Sequence, residues 1–232
     1  MNKSIIRCLA VGWIGTTGWV SLSQAVVADE PGPTPQITVY VYNWARVEPN
    51  TLREAKEVAT HIFRKAGVEA TLLDGSLSSE EEREKLVTGR HRSSNFFVHI
   101  VSLSLAENFG LPTQVLGIAP GTPQEPNRDL AYVFDHVAAR LAQEQLKALE
   151  NRTVFMNANK GYILGHGIAH EIGHVLLQAS HSPAGLMRAQ WTRPDFLNMV
   201  GRNLHFTSKE AARLRAEVSR RNSVQIALNP GK

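Results

Sequence analysis

Residues 161–178 (GYILGHGIAHEIGHVLLQ) carry a single acidic side chain, Glu171, in an otherwise apolar run that also holds three histidines. A run of this length and character reads as a largely buried helix. Burying polar side chains is costly unless they have partners, so the histidines need a purpose. His170 and His174 are four residues apart and lie on one helical face. Together they can offer two neutral imidazoles to one zinc ion. Glu171 lies about 100° around the helix from His170. Its carboxylate can therefore reach a water held at the metal rather than the metal itself. There it can take a proton as that water attacks a carbonyl, and return it to the leaving amine.

A catalytic zinc usually has three protein ligands and one open position. His181, seven residues after His174, is the expected third ligand, with Gln178, Ala179 and Ser180 turning the chain back from a helix that ends near Leu177. Asp195 is the competing candidate, because an acidic ligand from a later segment is a known zinc arrangement. Glu210 fits better in a capping box, Thr207-Ser208-Lys209-Glu210, at the start of a last helix. His166 also falls on the ligand face. Eight residues of helix separate it from His174, about 12 Å at 1.5 Å per residue, too far for both to hold one ion. It is expected to support the site or pack in the core.

These residues resemble a zincin metallopeptidase of the metzincin type. The resemblance rests on the HExxH pattern at 170–174, the nearby His181, and Gly185-Leu186-Met187, which is similar to the family's methionine turn below the metal. It is sharp over residues 161–191 and loose elsewhere. It implies a Zn2+ cofactor, a role for Met187 in that turn, and an edge strand around Gly117, Ile118 and Ala119 that pairs with an extended substrate. The family pattern HExxHxxGxxH is not matched throughout: Leu177 stands where the turn glycine would be, and His181 falls one residue late. The family's oxyanion helper is not transferred, because Ala189 stands where some members carry a tyrosine.

The rest of the chain is compatible with this. Its 232 residues, 43% hydrophobic and 20% charged, are enough for a buried core and exclude a wholly disordered chain. A net charge of +4 is too small to argue for nucleic acid. Eight basic and three acidic residues fall within 188–221, which reads as the solvated face of a helix. The one cysteine, Cys8, excludes an internal disulfide.

Residues 1–28 have the charged, apolar and small-residue order of a secretory signal. An uncleaved N-terminal membrane anchor is the alternative. Residues 29–36 form a proline-rich leader, and 37–232 a single domain with no stable membrane span.

Within that domain, Ile37–Asn43, Val68–Leu73, Phe96–Leu103, Val115–Ala119 and Leu130–Phe134 read as strands. A helix capped at Asn50 or Thr51 runs to Gly67, and another spans His136–Leu149. Phe96–Leu103 is expected to be buried on both faces, with His99 as a core histidine. The fold class is α/β (α+β): a mixed, mostly parallel sheet with a crossover helix, a histidine-bearing helix and a C-terminal helix.

Three functions are consistent with this pattern. The first is an exported zinc peptidase, secreted or periplasmic, acting on a peptide or protein. The second is a zinc-holding binding module of the same fold. The third is a zinc amidase acting on cell-wall peptides.

Overall fold

A computed structural model describes residues 33–75, 94–120, 129–149, 159–178 and 181–228, without the side chains of 146–149 and 225–228. The expected signal at 1–28 lies outside these residues. So do Glu80, Glu81, Glu82 and Glu84, which read from sequence as a solvated helix start or loop, most of the proline-rich stretch 120–129, which reads as a loop, and Asn151-Arg152-Thr153, which fits a glycosylation acceptor.

The described strands form one five-stranded sheet in the order β2-β1-β3-β5-β4. β1 (Gln36–Asn43) and β2 (Glu69–Asp74) are parallel neighbours joined by α1 (Pro49–Lys65). β3 (Asn95–Val101) pairs in parallel with β1 on one side and with β5 (Leu130–Phe134) on the other. β4 (Gly117–Ile118) pairs antiparallel to β5 and ends the sheet. The fold is thus mixed α/β with a mostly parallel sheet, as the sequence suggested.

Helix boundaries follow local chemistry. α1 starts earlier than expected: Glu48 is its cap and accepts the Thr51 N–H at 3.0 Å, with Pro49 in the first turn, where a missing N–H costs nothing. Phe96–Leu103 is corrected at its end. The strand stops at Val101, and Ser102 accepts the Leu105 N–H to open the short α2 (Leu103–Asn108). The expected strand at Val115–Ala119 shrinks to the two residues of β4. α3 (Asp135–Leu149) follows β5 directly.

α4 (Lys160–Leu177) is the expected histidine-bearing helix, capped by Asn159, whose side chain accepts the Tyr162 N–H at 2.9 Å. It runs through the core between α1 and β5, and nearly every side chain on it is buried. Gly165 has no side chain where the Ala55 carbonyl of α1 passes, so the two helices pack closely.

α5 (Arg193–Val200) was not expected, and α6 (Ser208–Leu228) opens at the expected capping box. Glu210 accepts the Thr207 N–H at 2.8 Å, and Thr207 Oγ1 accepts the Glu210 N–H at 3.3 Å. Ala211, Leu214 and Val218 of α6 are buried.

Among the described residues one face of the sheet is covered along its length, and the other only at one end, where Val101 and Phe134 are buried with Ala106 and Val137 in a second, smaller cluster. Val39, Val41, Phe96, Val98, Ile100, Ala131 and Val133 are fully buried toward α1 and α4. Their neighbours Tyr40, Tyr42, Phe97, His99 and Tyr132 point to the other face and are only half-buried. β3 is therefore fully buried on one face and, on the other, buried at its two ends but only half-buried at Phe97 and His99. His99 lies among aromatic rings, 4.9 Å from Tyr42, 5.4 Å from Tyr132 and 5.8 Å from Trp44, rather than in the core. No described helix is long and apolar enough to cross a membrane.

The basic residues near the C-terminus are used more than a solvated face would require. Arg213 donates to the Leu177 carbonyl at 2.7 Å and so caps the end of α4. Arg215 donates to the Ala66 carbonyl at 2.8 Å, just past α1. Arg221 is buried and pairs with Asp129 and Glu217.

Candidate metal centre and its cavity

His170 and His174 project from the second half of α4, one turn apart, and His181 comes back to them after the helix ends. The three rings present nitrogens that all lie within 4.8 Å of one another. His174 Nε2 is 3.0 Å from His170 Nε2 and 3.2 Å from His181 Nε2.

The helix ends at Leu177, and Gln178 takes the left-handed conformation (φ 46°, ψ 42°) with its N–H on the His174 carbonyl. The turn thus comes one residue later than a glycine at 177 would place it. His181 follows this turn residue by three positions, the offset between glycine and last histidine in the pattern it resembles.

The tautomer of His170 follows from its surroundings. Nδ1 lies 2.8 Å from the Leu186 carbonyl, which can only accept, so Nδ1 carries the proton. Nε2 is left with its lone pair directed to His174 and His181. Burial, opposed by that bond and helped by the two neighbouring imidazoles, pulls the His170 pKa down to about 4. The ring is therefore neutral at physiological pH, as a ligand must be.

One proton on His174 Nε2 can serve only one of its two close nitrogen contacts, whereas one cation serves all three lone pairs. Tetrahedral zinc with Zn–N bonds of about 2.0–2.1 Å sets ligand nitrogens roughly 3.3 Å apart. The measured 3.0 and 3.2 Å are close to that. The donor set therefore fits a zinc ion.

One turn braces the whole cluster. Gly185 has φ +75°, and the Arg188 N–H returns to its carbonyl at 3.3 Å. The Leu186 carbonyl accepts both His170 Nδ1 and Trp191 Nε1, at 2.8 and 3.0 Å. The Met187 carbonyl accepts the Ser182 N–H at 2.8 Å, which anchors the chain beside His181. The Met187 side chain is 1% exposed and packs against Gly173, where an added Cβ would stand 2.6 Å from Sδ. Met187 thus fills the space under α4 between the two helical histidines.

Glu171 is buried and lines the cavity that His170 and His181 border. The cavity holds about 490 Å3. It is walled by Val115, Leu116 and Gly117 from the β4 segment, Val137 and Leu141 from α3, and Trp191 and Phe196 beyond the turn. Burial pushes the Glu171 carboxyl up to about 8. A larger groove of about 720 Å3 runs along α1 past Arg53, Lys56, His61 and Arg202, and meets none of the three histidines.

Comparison with known proteins adds little to this geometry. No protein-family model matches the chain, and no curated protein matches it. Among solved structures, archaemetzincin from Methanopyrus kandleri is similar at 14% identity, with a TM-score of 0.42, over 82% of this chain and 98% of that one.

The other expected residues fall as follows. Asp195 is not brought to the cluster. Its carboxylate accepts the Thr192 N–H and hydroxyl, both at 2.7 Å, in a capping box that opens α5, and lies 3.5 Å from Arg188. Glu210 is likewise occupied, by Thr207 and the Ser182 hydroxyl. His166 is kept from the cluster by Tyr162, whose carbonyl accepts Nδ1 at 2.8 Å.

Gly117 and Ile118 form the edge strand, while Ala119 lies past its end and packs against the core. Gly117 serves Glu171 directly, since an added Cβ would stand 2.6 Å from Oε1.

Sequence reasoning did not anticipate Trp191, the Leu186 carbonyl or Arg213. A carbonyl leaves no trace in sequence. Trp191, however, falls within the short 181–191 stretch that also carries His181 and Met187.

Proposed function

We propose that this chain is a zinc-dependent peptidase that acts outside the cytoplasm. His170, His174 and His181 hold the metal, and Glu171 is the general base. The observation that carries this reading is the convergence of three imidazoles, from α4 and the segment after it, at a cavity that also contains a buried glutamate. Zinc bound there supplies a Lewis acid that acidifies water and polarises a carbonyl.

The chain's own residues do the rest. The Leu186 carbonyl holds His170 in the tautomer that presents Nε2. The Glu171 carboxylate takes the proton of the attacking water and delivers it to the leaving nitrogen. Burial favours the protonated acid, while a cation nearby favours the carboxylate. Those opposing pulls suit a group that must both accept and release a proton near neutral pH.

The outer side of β4, from Gly117 to Ala119, is where an extended peptide would add as a strand. Export rests on residues 1–28, outside the described residues.

A module that only holds metal needs no buried base beside its ligands, so Glu171 weighs toward catalysis. An amidase acting on cell-wall peptides would use the same chemistry. The test is to load the protein with zinc and incubate it with a diverse peptide pool and, separately, with cell-wall peptides, reading products by mass spectrometry. Cleavage in the pool, abolished by a chelator and restored by zinc, is the expected result. Cleavage confined to cell-wall peptides would replace the peptidase reading with the amidase. No cleavage of either would leave the metal-holding module.

A further inference from the structure

The cavity beside the histidines contains two arginines that the proposed chemistry does not use. Arg140 reaches it from α3 and Arg188 from the turn, directly after Met187. Neither guanidinium is well satisfied within the chain. Arg140 meets Gln114 Oε1 at 3.4 Å and Glu144 at 3.9 Å, and its side chain is 48% exposed. Arg188 lies 3.5 Å from Asp195 Oδ2, an oxygen that already accepts two bonds from Thr192. Its Nε is buried without a hydrogen-bond partner. That atom is enclosed, but the side chain is 33% exposed and lines the cavity, and a planar carboxylate is the group that best matches an accessible guanidinium.

Glu171 is the one acid of the lining; Gln114, Gln190 and Thr192 are its neutral polar members, and the apolar walls are Val115, Leu116, Val137, Leu141, Trp191 and Phe196. An occupant that matches this surface has an apolar body and a negative end.

We propose that this cavity selects substrates by a carboxylate: Arg140 and Arg188 receive an anionic group on the peptide residue that fills the apolar walls. The carboxylate comes either from the free C-terminus of a short peptide or from the side chain of an aspartate or glutamate in a longer one. This inference rests on the peptidase reading and specifies which peptides the site takes.

The test measures binding, so it does not depend on turnover. Zinc-loaded protein carrying Glu171→Gln is titrated calorimetrically with two matched pairs. One pair is acetyl-Gly-Leu as free acid and as amide. The other is acetyl-Gly-Glu-Leu-amide and its Gln counterpart. The expected result is that one acidic member binds about tenfold or more tighter than its neutral twin, and the pair that shows this identifies the source of the carboxylate. Arg140→Gln and Arg188→Gln, each added to that protein, should bring the ratio close to one.

Arg140 is half-exposed, so Arg140→Glu should fold. It should turn the preference toward acetyl-Gly-Lys-Leu-amide, an inversion that mere loss of structure cannot produce. Equal binding of acid and neutral twins, no binding of any, or a preference that survives both glutamine replacements overturns the inference. Failure of the peptidase reading would appear separately, as absence of cleavage by zinc-loaded parent protein.

Discussion

The carboxylate of Glu171 occupies the space that a side chain at Gly117 would fill, since a Cβ there would stand 2.6 Å from Oε1 and 2.6 Å from Cγ. The edge strand and Glu171 are thus in direct contact, and the absence of a Cβ at 117 sets where the carboxylate lies. Gly117→Ala should push Glu171 out of position while leaving the histidines in place. A displacement of about 1 Å at a reacting group can cost on the order of 100-fold in rate. We expect kcat/KM to fall about 10- to 100-fold with zinc still at one per chain. Undiminished activity would show that the carboxylate position does not depend on this contact.

Met187 makes no bond through its sulfur that the fold requires, yet it is 1% exposed against Gly173 and the helix that bears two of the histidines. Its contribution is volume. Met187→Ala should cost about 2–5 kcal/mol in denaturant unfolding of the zinc-free protein, and Met187→Leu less than about 1.5 kcal/mol. The leucine variant should also keep its zinc. Loss of zinc from a stable leucine variant would mean that the thioether does more than fill space.

His181 and Asp195 competed for the third ligand position on sequence grounds, and only His181 is near the other imidazoles. His181→Ala should reduce zinc affinity by at least about 100-fold, since one of three ligand bonds is lost. Asp195→Asn should retain one zinc per chain and lose only about 0.5–2 kcal/mol of stability, through the weakened cap of α5. Metal titration of both variants checks this, and the reverse ranking would assign the site to Asp195.

His166 is 2% exposed, and burial pulls its pKa down to about 4, with the Tyr162 carbonyl partly opposing. His61 and His205 nearby add to the lowering. In the unfolded chain the imidazole titrates near its ordinary 6.5. Between that value and about 4 the unfolded state binds the proton and the folded state does not, so stability falls as pH drops through this window. Above the ordinary value His166 contributes no pH dependence. The full effect is about 3 kcal/mol. Urea unfolding from pH 7 to pH 4 should therefore show a shallower loss in His166→Leu than in the parent. Parallel curves would mean that His166 takes up its proton in the folded state too.

What could be read from sequence followed from local patterns. The four-residue spacing in α4 and the Thr207–Glu210 capping box both act within one or two helical turns, so they are visible in the chain itself. The α5 capping box is equally local, at Thr192-Arg193-Pro194-Asp195, but an aspartate downstream of two helical histidines fits a ligand as well as a cap, and only the fold separates the two. The half-open face of the sheet was beyond reach, because Phe96–Val101 is apolar on both faces and only tertiary packing decides which one is covered. The brace under the cluster was also hidden. It is made by the carbonyls of Leu186 and Met187, and backbone groups do not vary with sequence. The contact between Gly117 and Glu171 joins residues far apart in the chain, and nothing local in either segment signals it.

In the proposed function Glu171 is the base at a zinc held by three histidines. The most direct test compares the parent with Glu171→Gln, which keeps the shape of the side chain and removes its ability to take a proton. Both proteins are assayed together for zinc content and for cleavage of a peptide pool. The expected result is one zinc per chain in each, with cleavage by the parent and a loss of about 1,000-fold or more in the variant. Equal cleavage by the two proteins at equal zinc content would contradict it.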